Sequence, residues 1–339
     1  MVATPSFSKE ENGTADIIEN WLSQEGIGCE RYNNNVVARS PRFDPEKPTI
    51  LLNSHHDTVR PAKGYTKDPY VSTIENGKLY GLGSNDAGGA LVSLLATFVH
   101  FYNRENLPFN LVLAAAAEEE ISGIKGISSI VDELGKIDCA IVGEPSLMQM
   151  AVAERGLMVC DAVAKGVSGH AARKEGVNAI YKAMKDINWI SKYSFERVSP
   201  FLGEVSMCVT CIETDNKAHN VVPDQCRFTI DLRLNECYTH EEVLHTLKTN
   251  MNSEVTARST RLRSTIIGME HPLVKAGLDL GMEAYGSPTM SDKALMPFPA
   301  LKLGPGDSAR SHTADEFIYV EEIKQGIGTY VALLERVAF

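Results

Sequence analysis

The chain has 339 residues, 43% hydrophobic and 23% charged, an ordinary globular balance with material for roughly two domains of about 150 residues each. Asp and Glu outnumber Lys and Arg by 44 to 33, and the formal net charge of −11 argues against nucleic acid or an anionic membrane as the main partner. The longest apolar runs, 91–99 and 111–117, are too short to span a bilayer, and "MVATPSFSKEENG" lacks the basic stretch and apolar core of a secretory signal.

Residues 13–27 have helical periodicity that stops at Gly26 and Gly28, and 35–40 and 49–54 read as strands. A Pro- and Gly-rich loop at 61–69 leads into a hairpin, "YVSTIENGKLYG", with Asn76-Gly77 as its turn. A helix follows from about 87 to 103, a buried strand at 109–117, a helix at 124–134 and a strand at 138–144. Short apolar strands alternating with helices indicate an α/β layer with a central, mostly parallel sheet. The order changes after residue 155. "GLMVCDAVAKG" is a strand, "GVNAIYKAMKDINWI" a helix, "GEVSMCVTCIET" and "QCRFTIDLRL" strands, "THEEVLHTLKTNM" a helix, and a last strand lies near 254–267. This β-α-β-β-α-β order is the split βαβ, ferredoxin-like pattern of a smaller α+β layer. From 271 the chain reads as α/β again, ending in a helix at 321–335. The expected organisation is one discontinuous domain, 1–156 and 271–339, interrupted by an insert at 157–270. The seven cysteines are scattered and odd in number, which suits reduced thiols in a cytoplasmic protein. Cys208 and Cys211 form a C-x-x-C, but on a regular strand positions three apart face opposite sides, so no metal or redox role is expected.

The candidate chemistry sits where strands end. "TILLNSHHDTV" ends with His55, His56 and Asp57; "LVLAAAAEEEISG" with Glu118, Glu119 and Glu120; "CAIVGEPS" with Glu144; and "LGPGDSARSHTADE" places His312 beyond a strand and a glycine loop. The carboxyl ends of parallel strands face the crevice where ligands bind. Asp86, in "SNDAGG", reads either as the N-cap of the following helix or as a member of this polar group. Carboxylates and imidazoles without thiolates suit zinc and similar divalent ions. One catalytic zinc with three protein ligands would leave several of them unused. Two ions about 3.5–4 Å apart, sharing a carboxylate, would use them all. On an extended segment His55 and Asp57 point the same way, so Asp57 is expected to accept the other ring N–H of His55, while His56 faces away.

In order along nearly the whole chain, "SHHDTV", "YGLGSNDAGG", "EEEISG", "IVGEPS", "GVSGHAAR", "NVVPDQCRFTIDLR" and "GPGDSARSHTADE" resemble the dinuclear zinc amidohydrolases that include aminoacylase, acetylornithine deacetylase and succinyl-diaminopimelate desuccinylase. The resemblance implies two divalent ions, zinc or else cobalt or manganese, with His55, Asp86, Glu120, Glu144 and His312 as ligands and Asp86 bridging. It implies Glu119 as general base and Asp57 as the partner of His55. Glu118 stands where the family has Asp. Members also carry a helix ahead of "ATPS", which implies a shortened N-terminus or a misplaced start at Met1.

By the same resemblance the reaction is hydrolysis of the amide of an N-acyl amino acid. His170 of the partner subunit in a homodimer would support the tetrahedral oxyanion. Arg233 would hold the α-carboxylate through its planar fork. Asn220 would be a second polar contact, and the backbone of Gly304 and Gly306 would cradle the far end of the substrate. The insert would act as lid and dimerisation domain. "SPTMSDKALM" and "GPGDSARSHTADE" point to N-acetyl- or N-succinyl-ornithine or -citrulline in arginine biosynthesis. Succinyl-diaminopimelate desuccinylase or a metallo-dipeptidase stands second. A catalytically inactive metal-binding scaffold stands third and is disfavoured, because Glu119 is not needed to hold metal.

Overall fold

The computed structural model describes residues 1–339, which divide into two compact units. The first comprises Met1–Val152, Ile266–Tyr285 and Ser291–Phe339, and the second Ala153–Thr265 and Gly286–Met290. The second unit thus starts and stops slightly earlier than the insert expected at 157–270, and it takes in a short return segment that no composition shift marks.

The first unit is built on a mixed sheet in which Cys29–Tyr32, Asn35–Arg39, Asn110–Ala116, Thr49–His55, Cys139–Val142, Ala300–Lys302 and Met150–Glu154 follow one another. The four strands from Asn110–Ala116 to Ala300–Lys302 are parallel; the pairs flanking them are antiparallel. Thr49–His55 and Asn110–Ala116 are buried at every position, as strands covered on both faces must be. Helix Gly89–Tyr102 packs on Thr49–His55 and on the final helix, Val320–Arg336. In the hairpin Thr73–Glu75/Lys78–Tyr80, Asn76 (φ 51°) and Gly77 (φ 78°) adopt the two positive dihedrals that a two-residue turn needs.

One expectation in this unit fails. The helix expected at 124–134 is a single short turn, Ile127–Ser129. Ser129 Oγ bonds back to the carbonyls of Lys125 and Gly126 and competes with a helical ladder. Ile127, Ile130 and Leu134 are buried against Leu51, Val112 and Ala140 of the sheet, so their spacing reflects sheet packing rather than a helix. The strand Met150–Glu154 was not anticipated at all.

The second unit carries Gly156–Lys165, Ala179–Ile190, Ser206–Glu213, Gln225–Leu234, His240–Asn250 and Glu254–Ala257. Its sheet order is Ser206–Glu213, Gln225–Leu234, Gly156–Lys165, Glu254–Ala257, antiparallel throughout. One face buries Met158, Cys160, Phe228, Ile230 and Leu232 against Ala183, Ile190, Val243 and Leu247. The strand expected near 254–267 is broken into Glu254–Ala257 and a separate Thr265–Ile266. A bulge between Val209 and Cys211 corrects the C-x-x-C argument: Cys208 pairs with Asp231 and Cys211 with Thr229, two positions apart, so both thiols share one face. Both are exposed and unpaired.

Candidate metal centre and active site

Four neighbouring parallel strands deliver the polar groups to one end of the sheet. His55 ends Thr49–His55, Glu119 and Glu120 follow Asn110–Ala116, Glu144 follows Cys139–Val142, and His312 lies beyond Ala300–Lys302. His55 Nε2 is 3.3 Å from Asp86 Oδ1, 3.7 Å from Glu144 Oε1 and 4.0 Å from Glu119 Oε2. His312 Nε2 is 3.0 Å from Glu120 Oε2 and 3.5 Å from Asp86 Oδ2. Two three-residue groups result, His55/Asp86/Glu144 and Asp86/Glu120/His312, each with its ligand atoms within 4.8 Å of one another. Asp86 belongs to both and turns one oxygen toward each histidine. The first group is the more buried; the second opens to solvent through His312. Glu119 lies beside them and belongs to neither.

Asp57 does more than the sequence suggested, and partly something else. His55 Nδ1 is 3.0 Å from the Asp57 main-chain carbonyl and 3.4 Å from its carboxylate, so the carbonyl is the nearer acceptor of the ring N–H. The carboxylate accepts the amides of Glu119 (3.0 Å) and Glu120 (3.1 Å) and the hydroxyl of Ser8 (2.7 Å). One buried side chain therefore fixes both the histidine segment and the glutamate pair. His56 faces away as expected, its ring nitrogens meeting Thr14 Oγ1 (2.8 Å) and the Asn34 carbonyl (2.9 Å). Ser8 and Glu11, whose carboxylate accepts the Glu118 amide, support the site without any motif to announce them.

The cap reading of Asp86 does not hold. The helix begins at Gly89 after Gly88, with no side-chain cap, and Asp86 itself has non-helical dihedrals (φ −117°, ψ 98°) and a cis peptide to Ala87. A Cβ on Gly88 would fall on the Gly83 carbonyl, and one on Gly89 on the Ile318 side chain, so both glycines admit close packing behind Asp86. The Glu316 carboxylate accepts the amides of Gly83 (3.1 Å), Asn85 (2.9 Å) and Asp86 (2.9 Å). Asn85 exchanges two bonds with the backbone of Asp307: its Oδ1 accepts from the amide, and its Nδ2 donates to the carbonyl, each at 3.1 Å. Sequence reasoning missed Asn85 and Glu316; their only signal was polar side chains next to ligand candidates in "SNDAGG" and "SHTADE".

The electrostatics suit a candidate cation site. Burial opposes a charge on His55, but the carboxylates of Asp57 and Asp86, with Glu144 and Glu119 beyond, hold its pKa well above the imidazole range. Contact with Glu120 pushes His312 up to about 9 against its partial burial. Burial, then the charge of Glu144, drives Glu119 well above the carboxylate range, with Asp292 and Glu120 adding to it. Asp86 and Asp57 stay low despite burial, because each has His55 beside it. Burial raises Glu316 to about 7, with the nearby Asp86 charge adding to the rise, although its amide donors oppose it.

Of the remaining candidates, Gly304 packs against the backbone of Glu144, and the others belong to neither ligand group. Gly304 and Gly306 border Ser146 and Asn85 in the first unit, and the Gly304 amide already donates to Ser146 Oγ (3.0 Å). In the second unit the short ladder Gly169–His170/Val221–Val222 sets His170 beside Asn220, whose carbonyl accepts the Ala171 amide (3.0 Å). Arg233 points its fork at Asp231 of its own strand, Nε to Oδ1 at 2.8 Å and a terminal nitrogen to Oδ2 at 3.1 Å.

The chain is similar to succinyl-diaminopimelate desuccinylases. It is 29% identical over 255 residues to that of Cereibacter sphaeroides, covering 70% of this chain and 67% of the relative. It is 29% identical over 345 residues to that of Corynebacterium glutamicum, covering 95% and 91%. Among solved structures, the aminopeptidase PepT from Bacillus cereus matches at a TM-score of 0.77 and 19% identity, over 100% of this chain and 96% of that one. The Bacillus subtilis YXEP protein, described as a dinuclear metal binding peptidase from the M20 family, matches at 0.74 and 16%, over 98% and 94%. At those identities the likeness establishes the fold. The sequence profile of peptidase family M20/M25/M40 matches residues 51–336, and the chain belongs to that family, as a metal-dependent amidohydrolase.

Proposed function

We propose that the enzyme hydrolyses the amide bond of an N-acyl amino acid, with His55, Asp86 and Glu144 holding one divalent cation and Asp86, Glu120 and His312 a second. The observation that carries this reading is the shared Asp86, whose two oxygens face two separate histidine-carboxylate groups. Imidazole and carboxylate donors fit zinc, cobalt or manganese. When bound, the two cations supply polarisation of the amide carbonyl and a more acidic attacking water.

The chain's own residues do the proton work. Glu119, beside both groups and a ligand in neither, takes a proton from the attacking water as the new C–O bond forms. It delivers that proton to the leaving nitrogen as the C–N bond breaks, giving a carboxylate and an amine. In the cation-free site burial and the Glu144 charge raise the Glu119 pKa; two cations beside it would oppose that rise and leave the carboxylate free to accept the proton. Asp57 keeps Glu119 in place through its amide and fixes the tautomer of His55 through its carbonyl. His170 is read as the donor to the tetrahedral oxyanion, Arg233 as the clamp on the substrate carboxylate with Asn220 beside it, and the second unit as a lid that also forms a homodimer. For Arg233 the substrate carboxylate must displace or share Asp231.

We read an N-succinyl diamino acid ahead of acyl-ornithine or acyl-citrulline as substrate, a reading supported by the names of the relatives. The ornithine and citrulline reading rests on the two quoted C-terminal segments and comes second. The test is a comparison of kcat/KM over acetyl- and succinyl-ornithine, -citrulline, -lysine and -diaminopimelate, with a dipeptide, in cation-loaded and chelated protein. Turnover of at least one acyl-amino acid, lost on chelation and restored by cation, is expected. No turnover by the loaded protein on any member would overturn the reading in favour of a metal-binding scaffold.

A further inference from the structure

Asp86 serves both three-residue groups only if its carboxylate is held between His55 and His312. The turn carrying it has dihedrals that no helix imposes and no cap side chain from the following helix. Glu316 holds it instead. The strand Phe317–Tyr319 runs antiparallel to Lys78–Tyr80, with Phe317 opposite Tyr80, and the Gly81 amide donates to the Glu316 carbonyl (3.0 Å). This register slides the Glu316 side chain under the turn that follows Gly81. There Glu316, a residue only 2% exposed, accepts three amides of one turn, those of Gly83, Asn85 and Asp86.

A buried carboxylate is costly unless donors satisfy it, and amide N–H groups meeting an anion make strong bonds. Both carboxylate oxygens are used, Oε2 by the Gly83 amide and Oε1 by those of Asn85 and Asp86, whereas an amide side chain offers one acceptor only. Glu316 also lies four residues beyond His312, and Asn85, inside the same turn, bonds the Asp307 backbone ahead of His312. The turn of Asp86 and the segment of His312 are therefore fastened together on both sides of His312.

We propose that Glu316 is a positioning residue: by gathering the amides of the Asp86 turn it sets the aim of the shared carboxylate and so the affinity of both cation sites at once. This rests on reading His55, Asp86, Glu120, Glu144 and His312 as ligands. Glu316 itself belongs to neither three-residue group.

The experiment titrates cation-free protein with Zn²⁺ or Mn²⁺ by calorimetry and records the thermal melting of the same cation-free samples. It compares wild type, Glu316→Gln, Glu316→Asp and a control, Asn110→Ala. Asn110 is buried at the opposite end of its strand from the site and bonds the backbone of Asp44 and Lys47. Glu316→Gln is expected to weaken both cation sites tenfold or more and to lower kcat more than it changes KM. Glu316→Asp, which keeps the charge at shorter reach, is expected to fall between it and wild type. Asn110→Ala is expected to lower the melting temperature and leave cation affinity unchanged. Glu316→Gln binding two cations as tightly as wild type, or losing affinity no more than the control, overturns the proposal alone. Wild type taking up no divalent cation overturns the ligand reading and the proposal with it. If Glu316→Gln does not fold, Glu316→Asp decides: weaker binding at both sites supports the proposal, and unchanged binding overturns it.

Discussion

Replacing Glu119 by Gln separates proton transfer from cation binding. The side chain is partly buried, lies 4.0 Å from His55 Nε2, and belongs to neither three-residue group, so the variant is expected to keep both cations. The site around it, dominated by burial and Glu144, already favours the uncharged acid. Gln is nearly isosteric with that form, and the cation-free fold is expected to change by less than about 1 kcal/mol. The rate is another matter. A positioned general base is worth about 10²- to 10⁴-fold, or roughly 3–5 kcal/mol of barrier. The assay is kcat at saturating acyl-amino acid, alongside cation content by elemental mass spectrometry and the melting curve of the stripped protein. A variant purified without cations would show that Glu119 is itself a ligand. One with kcat within threefold of wild type would show that the proton passes elsewhere.

Other consequences follow from the same geometry. His312→Ala removes a ligand from the more open group only, so cation content is expected to fall from two per chain to one; a content of zero or of two would contradict the division of ligands. Cation uptake near neutral pH is expected to release protons, because His55 lies well above, and His312 at about 9, where a free imidazole would titrate. A protonated imidazole cannot ligate, so apparent affinity should climb with pH up to about 9 and fall away below it. Calorimetry in buffers of different ionisation enthalpy counts those protons, and a count of zero would contradict the assignment. Gly88→Ala drives a Cβ into the Gly83 carbonyl, which is backbone and cannot swing aside. A loss of about 1–3 kcal/mol is expected, seen as a drop in melting temperature of roughly 2–4 °C per kcal/mol, and an unchanged melting point would contradict it.

What the sequence showed plainly was what local pattern encodes. Thr49–His55 and Asn110–Ala116 hold the apolar runs 50–52 and 111–116, and the polar groups that follow them could be read as one cluster because parallel strands open at a common edge. What it hid depends on partners far along the chain. Asp86 stands before a helix like a cap, and only the long-range contacts of Glu316, Gly83 and Ile318 show that the helix starts later. Asp57 was expected to grip His55 with its carboxylate, but that group is occupied by the Glu119 and Glu120 amides, which a spacing argument on one strand cannot see. A helical spacing at 124–134 came from residues pressed onto a sheet, and a single bulge at Val209–Cys211 reversed a parity argument that assumed a regular strand. Asn85 and Glu316 carry no motif of their own, since each works by hydrogen bonds to main chain.

The account stands on one carboxylate serving two cations. An anomalous diffraction map of crystals grown with Zn²⁺ tests it most directly. The expected map has two peaks, one among His55, Asp86 and Glu144 and the other among Asp86, Glu120 and His312, with Asp86 touching both. A single peak, or peaks that leave Asp86 uncoordinated, would contradict it.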